Sequence, residues 1–303
     1  MDMLILILKK LSYRDRVNFI ATNIYNNDVK HYLLFNKEVR YDTIKNSSYF
    51  DSFTSLLITT NTIMTYPKKI KKIYIECCFK KYIKNITFKF PNTITHLTFG
   101  HSFNTKIQNC LPTSLTHLTF GNSFNQDIYG YLPNSLIYLK FGYNFCHDIT
   151  NCLSNSITHL IFGASFDCNI NQLPNSLTHL TISCIYNLTP FLPKTVTHLT
   201  LIYALFDDYI ILSAIPNHIT HLTFINCINW DLIFFHNFIP NSVTHITFLG
   251  ISRTPWNMGY LFNAHIKDYI PNSVTHITFS NNYNITNIDK NFLQNKNVFL
   301  NSI

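Results

Sequence analysis

The sequence predicts an α/β-type repeat solenoid: short parallel strands, one per coil, behind a small helical segment at the N-terminus. Three observations predict it. A ten-residue phrase recurs nine times between residues 90 and 279, written LPTSLTHLTF over 111–120 and IPNSVTHITF over 239–248. Its prolines are Pro91, Pro112, Pro133, Pro174, Pro193, Pro216, Pro240 and Pro271, with Ser154 in the remaining place, and most steps run 19 to 24 residues. A period near 21 belongs to solenoids, in which no coil can bury its apolar face alone. The composition agrees: 47% apolar against 13% charged residues describes an ordered, core-forming chain.

The first 45 residues read as helix. Apolar positions surround Ser12, which with Asp15 three places on has the form of a capping box. Val17, Ile20, Ala21 and Ile24 then follow the spacing of one buried helical face. Residues 46–89 form a linker that contains a degenerate coil at 66–75, YPKKIKKIYI, expected to be the polar first coil that keeps an array soluble. The charge sits here: residues 1–89 hold 16 Lys and Arg against 7 acids, and residues 90–303 hold 7 against 8. A nearly neutral array cannot grip a phosphate backbone along its length. The cluster Lys68, Lys69, Lys71, Lys72, Lys80, Lys81, Lys84 and Lys89 reads as a solvated outer face, because no DNA-binding or stacking motif accompanies it.

Within a coil, Leu115-Thr116-His117-Leu118-Thr119-Phe120 alternates from His117 onward. That pattern turns Leu118 and Phe120 inward, and His117 and Thr119 outward. Pro112 belongs ahead of the strand, since proline cannot donate to a ladder. Five of the 7 glycines follow strands (Gly100, Gly121, Gly142, Gly163, Gly250), which suggests turns that need positive φ. An aromatic and an isoleucine come next, as at Phe103 and Ile107, Phe124 and Ile128, or Phe166 and Ile170, to fill the core from the return side. The column Asn104, Asn125, Cys146, Asp167, Asn187, Asn229 and Asn284 can satisfy backbone groups of its own turn and of the next coil.

The spacing Leu115-x-x-Leu118-x-Phe120 resembles the opening of a leucine-rich repeat, whose strands line the concave side of a horseshoe. The whole phrase, with Phe103-Asn104-Thr105-Lys106-Ile107 after it, resembles the FNIP repeat family over 90–280 and weakly over 66–75, and the repeat solenoid is assigned to 90–303. Such repeats occur in amoebae and in the large DNA viruses that infect them, often behind an F-box. The N-terminal positions Ile7, Leu8, Leu11, Asp15 and Val17 resemble the F-box pattern. The two resemblances imply a substrate-receptor adaptor. The F-box-like end would dock the Skp-family linker of a cullin ubiquitin ligase, and the solenoid would hold a target protein. The alternative is a scaffold without a ligase link, its N-terminal helices sealing the first coil.

Eight of the 14 histidines share one column: His96, His117, His159, His179, His198, His221, His245 and His276, with Tyr138 in the gap. On stacked strands they would form an exposed row. A straight row does not converge on a metal as zinc ligands must. A catalytic base wants an orienting partner, and the flanking columns are threonine. No nucleophile pair, acid pair or phosphate loop stands elsewhere, so no catalytic, cofactor or metal residue is assigned. The row is a structural His and Thr ladder or a pH-sensitive binding face. His117, Tyr138, Lys140 and His159 are candidate contacts for a target. The longest steps, after Pro216 and Pro240, contain Trp230, Arg253, Trp256 and Tyr260. Insertions of this kind often form a binding face, and these residue types dominate interface hot spots. Eight scattered cysteines with no C-x-x-C pair suit buried free thiols in a reducing cytoplasm. No run is long enough to cross a bilayer, so neither membrane nor nucleic acid is expected as a partner.

Overall fold

A computed structural model describes residues 38–46, 50–58, 65–75, 89–166, 170, 172–182, 192–202, 215–225, 239–249, 270–280 and 296–301. The chain divides into two compact units, residues 1–136 and 137–303. The first holds β1 (Val39–Arg40), the one-turn helix α1 (Tyr41–Ile44), a 3-10 turn at Phe50–Ser52, β2 (Ser55–Ile58), β3 (Lys72–Ile75), β4 (His96–Phe99) and β5 (His117–Thr119). The second holds β6 (Tyr138–Lys140), β7 (His159–Ile161), β8 (His179–Ile182), β9 (His198–Ile202), β10 (His221–Ile225), β11 (His245–Leu249), β12 (His276–Ser280) and β13 (Asn297–Asn301). Within each unit successive strands pair in parallel, one per coil, and like columns stay in register: His96 with His117, His221 with His245, Phe248 with Phe279. Each unit is a parallel β-solenoid. Among the described residues the return sides carry turns, apart from α1 and the 3-10 turn between β1 and β2.

The phrase builds each coil in a fixed way. The proline carbonyl accepts the amide three residues on, as in Leu115 N to Pro112 O at 3.2 Å, so the chain turns sharply into the strand. Proline fits there because this turn asks only for its carbonyl. At the coil that lacks it, Ser154 Oγ accepts the Ser156 amide at 3.3 Å and supports the same turn. The strand then sends alternate residues inward: Leu118 and Phe120 are buried, while His117 and Thr119 are half-buried on the outer side. From the return side Phe124 and Ile128 complete the core, both fully buried. The phenylalanines stack along the solenoid and within the coil, Phe99 on Phe120 at 5.5 Å and Phe120 on Phe124 at 3.8 Å. Phe141, Phe145, Phe162 and Phe166 repeat the arrangement in the second unit.

Three expectations change here. First, the coil at 66–75 is not the first of its row. β1 and β2 precede it, inside residues assigned to the helical segment and the linker, and Leu56 and Leu57 pair with Val39 and Arg40. Phe53, Leu56 and Ile58 are buried like the phrase residues although no phrase surrounds them. Second, positive φ does not explain the described glycines after the strands, Gly100, Gly121, Gly142 and Gly163. Among the described residues it occurs at Asn109, Gly130 and Asn151, a column at the second turn of the coil, where glycine and asparagine tolerate it. A Cβ on Gly121 would lie 2.0 Å from the Gly100 carbonyl oxygen, and one on Gly163 the same distance from that of Gly142. Glycine is required because successive coils touch backbone to backbone. Third, of the thiols described only Cys110 is buried; Cys146 and Cys152 are half-buried. Burial pushes the Cys110 thiol up to about 12.

Candidate functional site: the outward strand face

The outward residues of the strands form columns, built one coil upon the next. The threonine before each histidine bonds to the ring beside it, with Oγ1 to Nδ1 distances of 2.8 or 2.9 Å at His96, His117, His159, His179, His198, His221, His245 and His276. The same hydroxyl reaches the carbonyl of the previous coil, as from Thr116 to Thr95 O at 3.0 Å and from Thr178 to Thr158 O at 3.1 Å. That carbonyl also accepts two backbone amides, Thr116 N and His117 N, each at 2.9 Å. A serine two residues earlier repeats the pattern: Ser114 Oγ donates to Ile94 O at 2.6 Å, Ser176 to Ile157 O at 2.7 Å. The phrase T-H therefore fixes the imidazole orientation before any partner arrives.

Held in this way, the rings stack face to face. Centroids lie 4.1 Å apart for His96 and His117, and 4.1 to 4.3 Å apart along the run from His159 to His276. The row is half-buried, where the alternation predicted plain exposure, because each ring is covered by its neighbours. Desolvation comes first and neighbouring imidazoles second in holding His179 and His198 below the ordinary value, with His198 down to about 4. His221 and His245 are lowered by the same two causes. His96 is lowered by desolvation, His117 and then Lys72, its partner in register on β3.

Parallel rings aim their nitrogens in parallel, so neighbours cannot converge on one ion. Among the described residues no group of three or more His, Cys, Asp or Glu is placed to hold a metal. Among the same residues no helix is long and apolar enough to cross a membrane. The lysine cluster is exposed where described, at Lys68, Lys69, Lys71, Lys72 and Lys89. Lys68 meets Asp51 at 3.5 Å. In the asparagine column, Asn104 Oδ1 accepts the Asn125 amide of the next coil at 2.9 Å; Asp167, Asn187, Asn229 and Asn284 lie outside the described residues.

The predicted contact residues fall unevenly. His117 is on β5 in the first unit; Tyr138 and Lys140 are on β6 and His159 on β7 in the second. Tyr138 and His159 are register partners, but their rings are tilted by 33° at 6.3 Å, so the stack does not run through the tyrosine. Ile7, Leu8, Leu11, Asp15 and Val17 lie outside the described residues, as do Trp230, Arg253, Trp256 and Tyr260. Residue types alone did not single out Ile137, in the threonine column and 42% exposed, nor Ile161, register partner of Lys140. Aligning the phrases does single them out, since both replace threonine.

The chain carries FNIP repeats, matched at residues 82–123, 103–144 and 145–184. Among solved structures it is similar to CroV588, described as a novel circular LRR protein, with 35% identity and a TM-score of 0.54. That likeness covers 84% of this chain and 38% of the other, so the chain spans well under half the length of that protein. No curated protein matches the chain.

Proposed function

We propose that this chain is a protein-interaction solenoid that presents the outward strand face to a target protein, and that residues 1–45 dock it to a Skp-family linker of a cullin ubiquitin ligase. The observation that carries the first part is the pre-formed face itself. Its columns are held by Thr and Ser bonds between coils, so a partner meets a surface whose ordering cost is already met. The likeness to an LRR protein supports the same reading. The ligase part rests on the F-box-like residues Ile7, Leu8, Leu11, Asp15 and Val17, and it places the chain in the cytoplasm, the host's if the protein is viral.

A second reading, a scaffold without a ligase, is favoured by one observation. The end of the F-box-like segment is built into the stack: β1 pairs with β2, and Tyr41 and Ile44 are buried. One experiment separates the two. The full chain is mixed with purified Skp-family linker, beside a variant with Leu8→Asp and Leu11→Asp. Capture by the wild type and loss of at least tenfold in the variant support the ligase reading. Absence of capture leaves the scaffold.

A further inference from the structure

The coil that starts the second unit departs from the repeat at every outward position. Neighbouring coils carry threonine, histidine and threonine, as at Thr178, His179 and Thr181; this coil carries Ile137, Tyr138 and Lys140. Its register partner β7 adds Ile161 opposite Lys140, where β8 has Thr181. Four departures thus fall side by side on two adjacent strands, beside coils that keep threonine and histidine at these positions. They lie outside the core. The inward residues Leu139, Phe141, Leu160 and Phe162 keep the phrase and are buried. The tyrosine leaves the ring stack, and Ile137 exposes apolar surface that threonine would not.

The electrostatics are one-sided. Lys140 is exposed; the other lysine described along these columns in the second unit, Lys296 before β13, is half-buried and donates its Nζ to Val274 O at 2.6 Å. The sole carboxylate described in that unit is Asp148. It lies on the return loop and accepts Thr150 N at 2.9 Å and Thr150 Oγ1 at 2.6 Å. A cation flanked by aliphatic and aromatic side chains, with no acid on its own face, is complementary to an acid set beside an apolar side chain. Tyrosine is also among the residue types enriched at interface hot spots.

We propose that Ile137, Tyr138, Lys140 and Ile161 form a docking patch for a polypeptide segment that carries a carboxylate next to an aliphatic or aromatic side chain. The proposal rests on the protein-interaction reading and gives it a place and a chemistry.

The repeat supplies its own control. Ile137→Thr, Tyr138→His, Lys140→Thr and Ile161→Thr together rewrite the patch with residues that neighbouring coils already hold at the same positions. A phage-displayed library of random peptides is selected on the full wild-type chain, and the selected peptides are synthesised and titrated against three proteins. These are the wild type, the fourfold variant and Lys140→Glu alone, with circular dichroism melts of each. The expected result is an acidic residue within two positions of an aliphatic or aromatic one in the selected peptides. Binding should weaken at least tenfold in both variants at unchanged melting temperature, and Lys140→Glu should regain it when the peptide acid is replaced by lysine. If the fourfold variant fails to fold, the lysine exchange alone decides. Peptides without a shared acid, or equal binding by wild type and Lys140→Glu, overturn the patch. Peptides that bind all three proteins alike overturn it while leaving the interaction reading intact.

Discussion

Two groups of coils carry the same phrase and end their strands differently. β5, β6 and β7 are three residues long; β9 to β12 are five. In the short group a glycine follows the phenylalanine, at Gly121, Gly142 and Gly163. In the long group Ile202, Ile225, Leu249 or Ser280 stands there and pairing continues through it. The difference teaches that the phrase starts a strand while the residue after it decides where the ladder stops. Glycine lets the chain turn down onto the backbone of the previous coil, whereas a side chain holds it extended.

The largest expected effect tests what the short coils share behind their glycines. Phe124 stacks on Phe120 and Phe103 and is fully buried, so Phe124→Ala should cost about 3–5 kcal/mol in urea unfolding. Next is the glycine itself. Gly121→Ala forces a methyl into a carbonyl 2.0 Å away and should cost about 3 kcal/mol, the upper end for overpacking. Leu249→Ala at the equivalent place in a long coil, outward and half-buried, should cost about 1 kcal/mol. If Gly121→Ala melted like the wild type, close approach would not be what selects glycine, and the comparison would fail.

Acid should sharpen the contrast. His198, His221 and His245 lie in long coils, and all are held below 6.5. Because the fold disfavours their protonated forms, the unfolded chain takes up protons first. Stability present above 6.5 is then lost as pH falls, down to about 4 for His198. Amide exchange at pH 7.5 and pH 5 should show protection lost in β9–β11 ahead of β5–β7. Equal loss in both groups would mean that the ring stack does not set acid sensitivity. An effect as small as that at Leu249 belongs to His117→Ala, about 1 kcal/mol, since it removes one stacking partner of His96 and no core packing.

The core was readable because its signal is local: inward Leu118 and Phe120 alternate with outward His117 and Thr119 within one strand, and the next phrase repeats the pattern. β1 and β2 were not, because Leu56 and Ile58 belong to the stack only by pairing, without the proline turn that announces the other coils. The glycine requirement could be seen in the sequence but not its cause, since the clash at Gly121 is with Gly100, 21 positions away. The column that does need positive φ passed unnoticed, its residues Asn109, Gly130 and Asn151 being of two types. For the outward face, the histidine column was plain, while its half-burial follows from ring stacking that no single strand contains. The patch around Lys140 emerges only when phrases are laid in the register that the strands adopt.

The side-chain bonds between coils point one way, unlike the backbone ladder, in which Phe141 N and Phe162 N donate to the later coil at Ile161 O and Thr181 O. Ser114 donates to Ile94 O, Thr116 to Thr95 O, the Asn125 amide to Asn104 Oδ1, the Asn175 amide to Asn155 Oδ1, and Lys296 Nζ to Val274 O. In every case the later coil donates and the earlier one accepts. For these bonds a finished coil therefore offers its successor acceptors that are already in place. A ribosome delivers coils in that order, so each turn meets the acceptors for its side-chain bonds as it emerges.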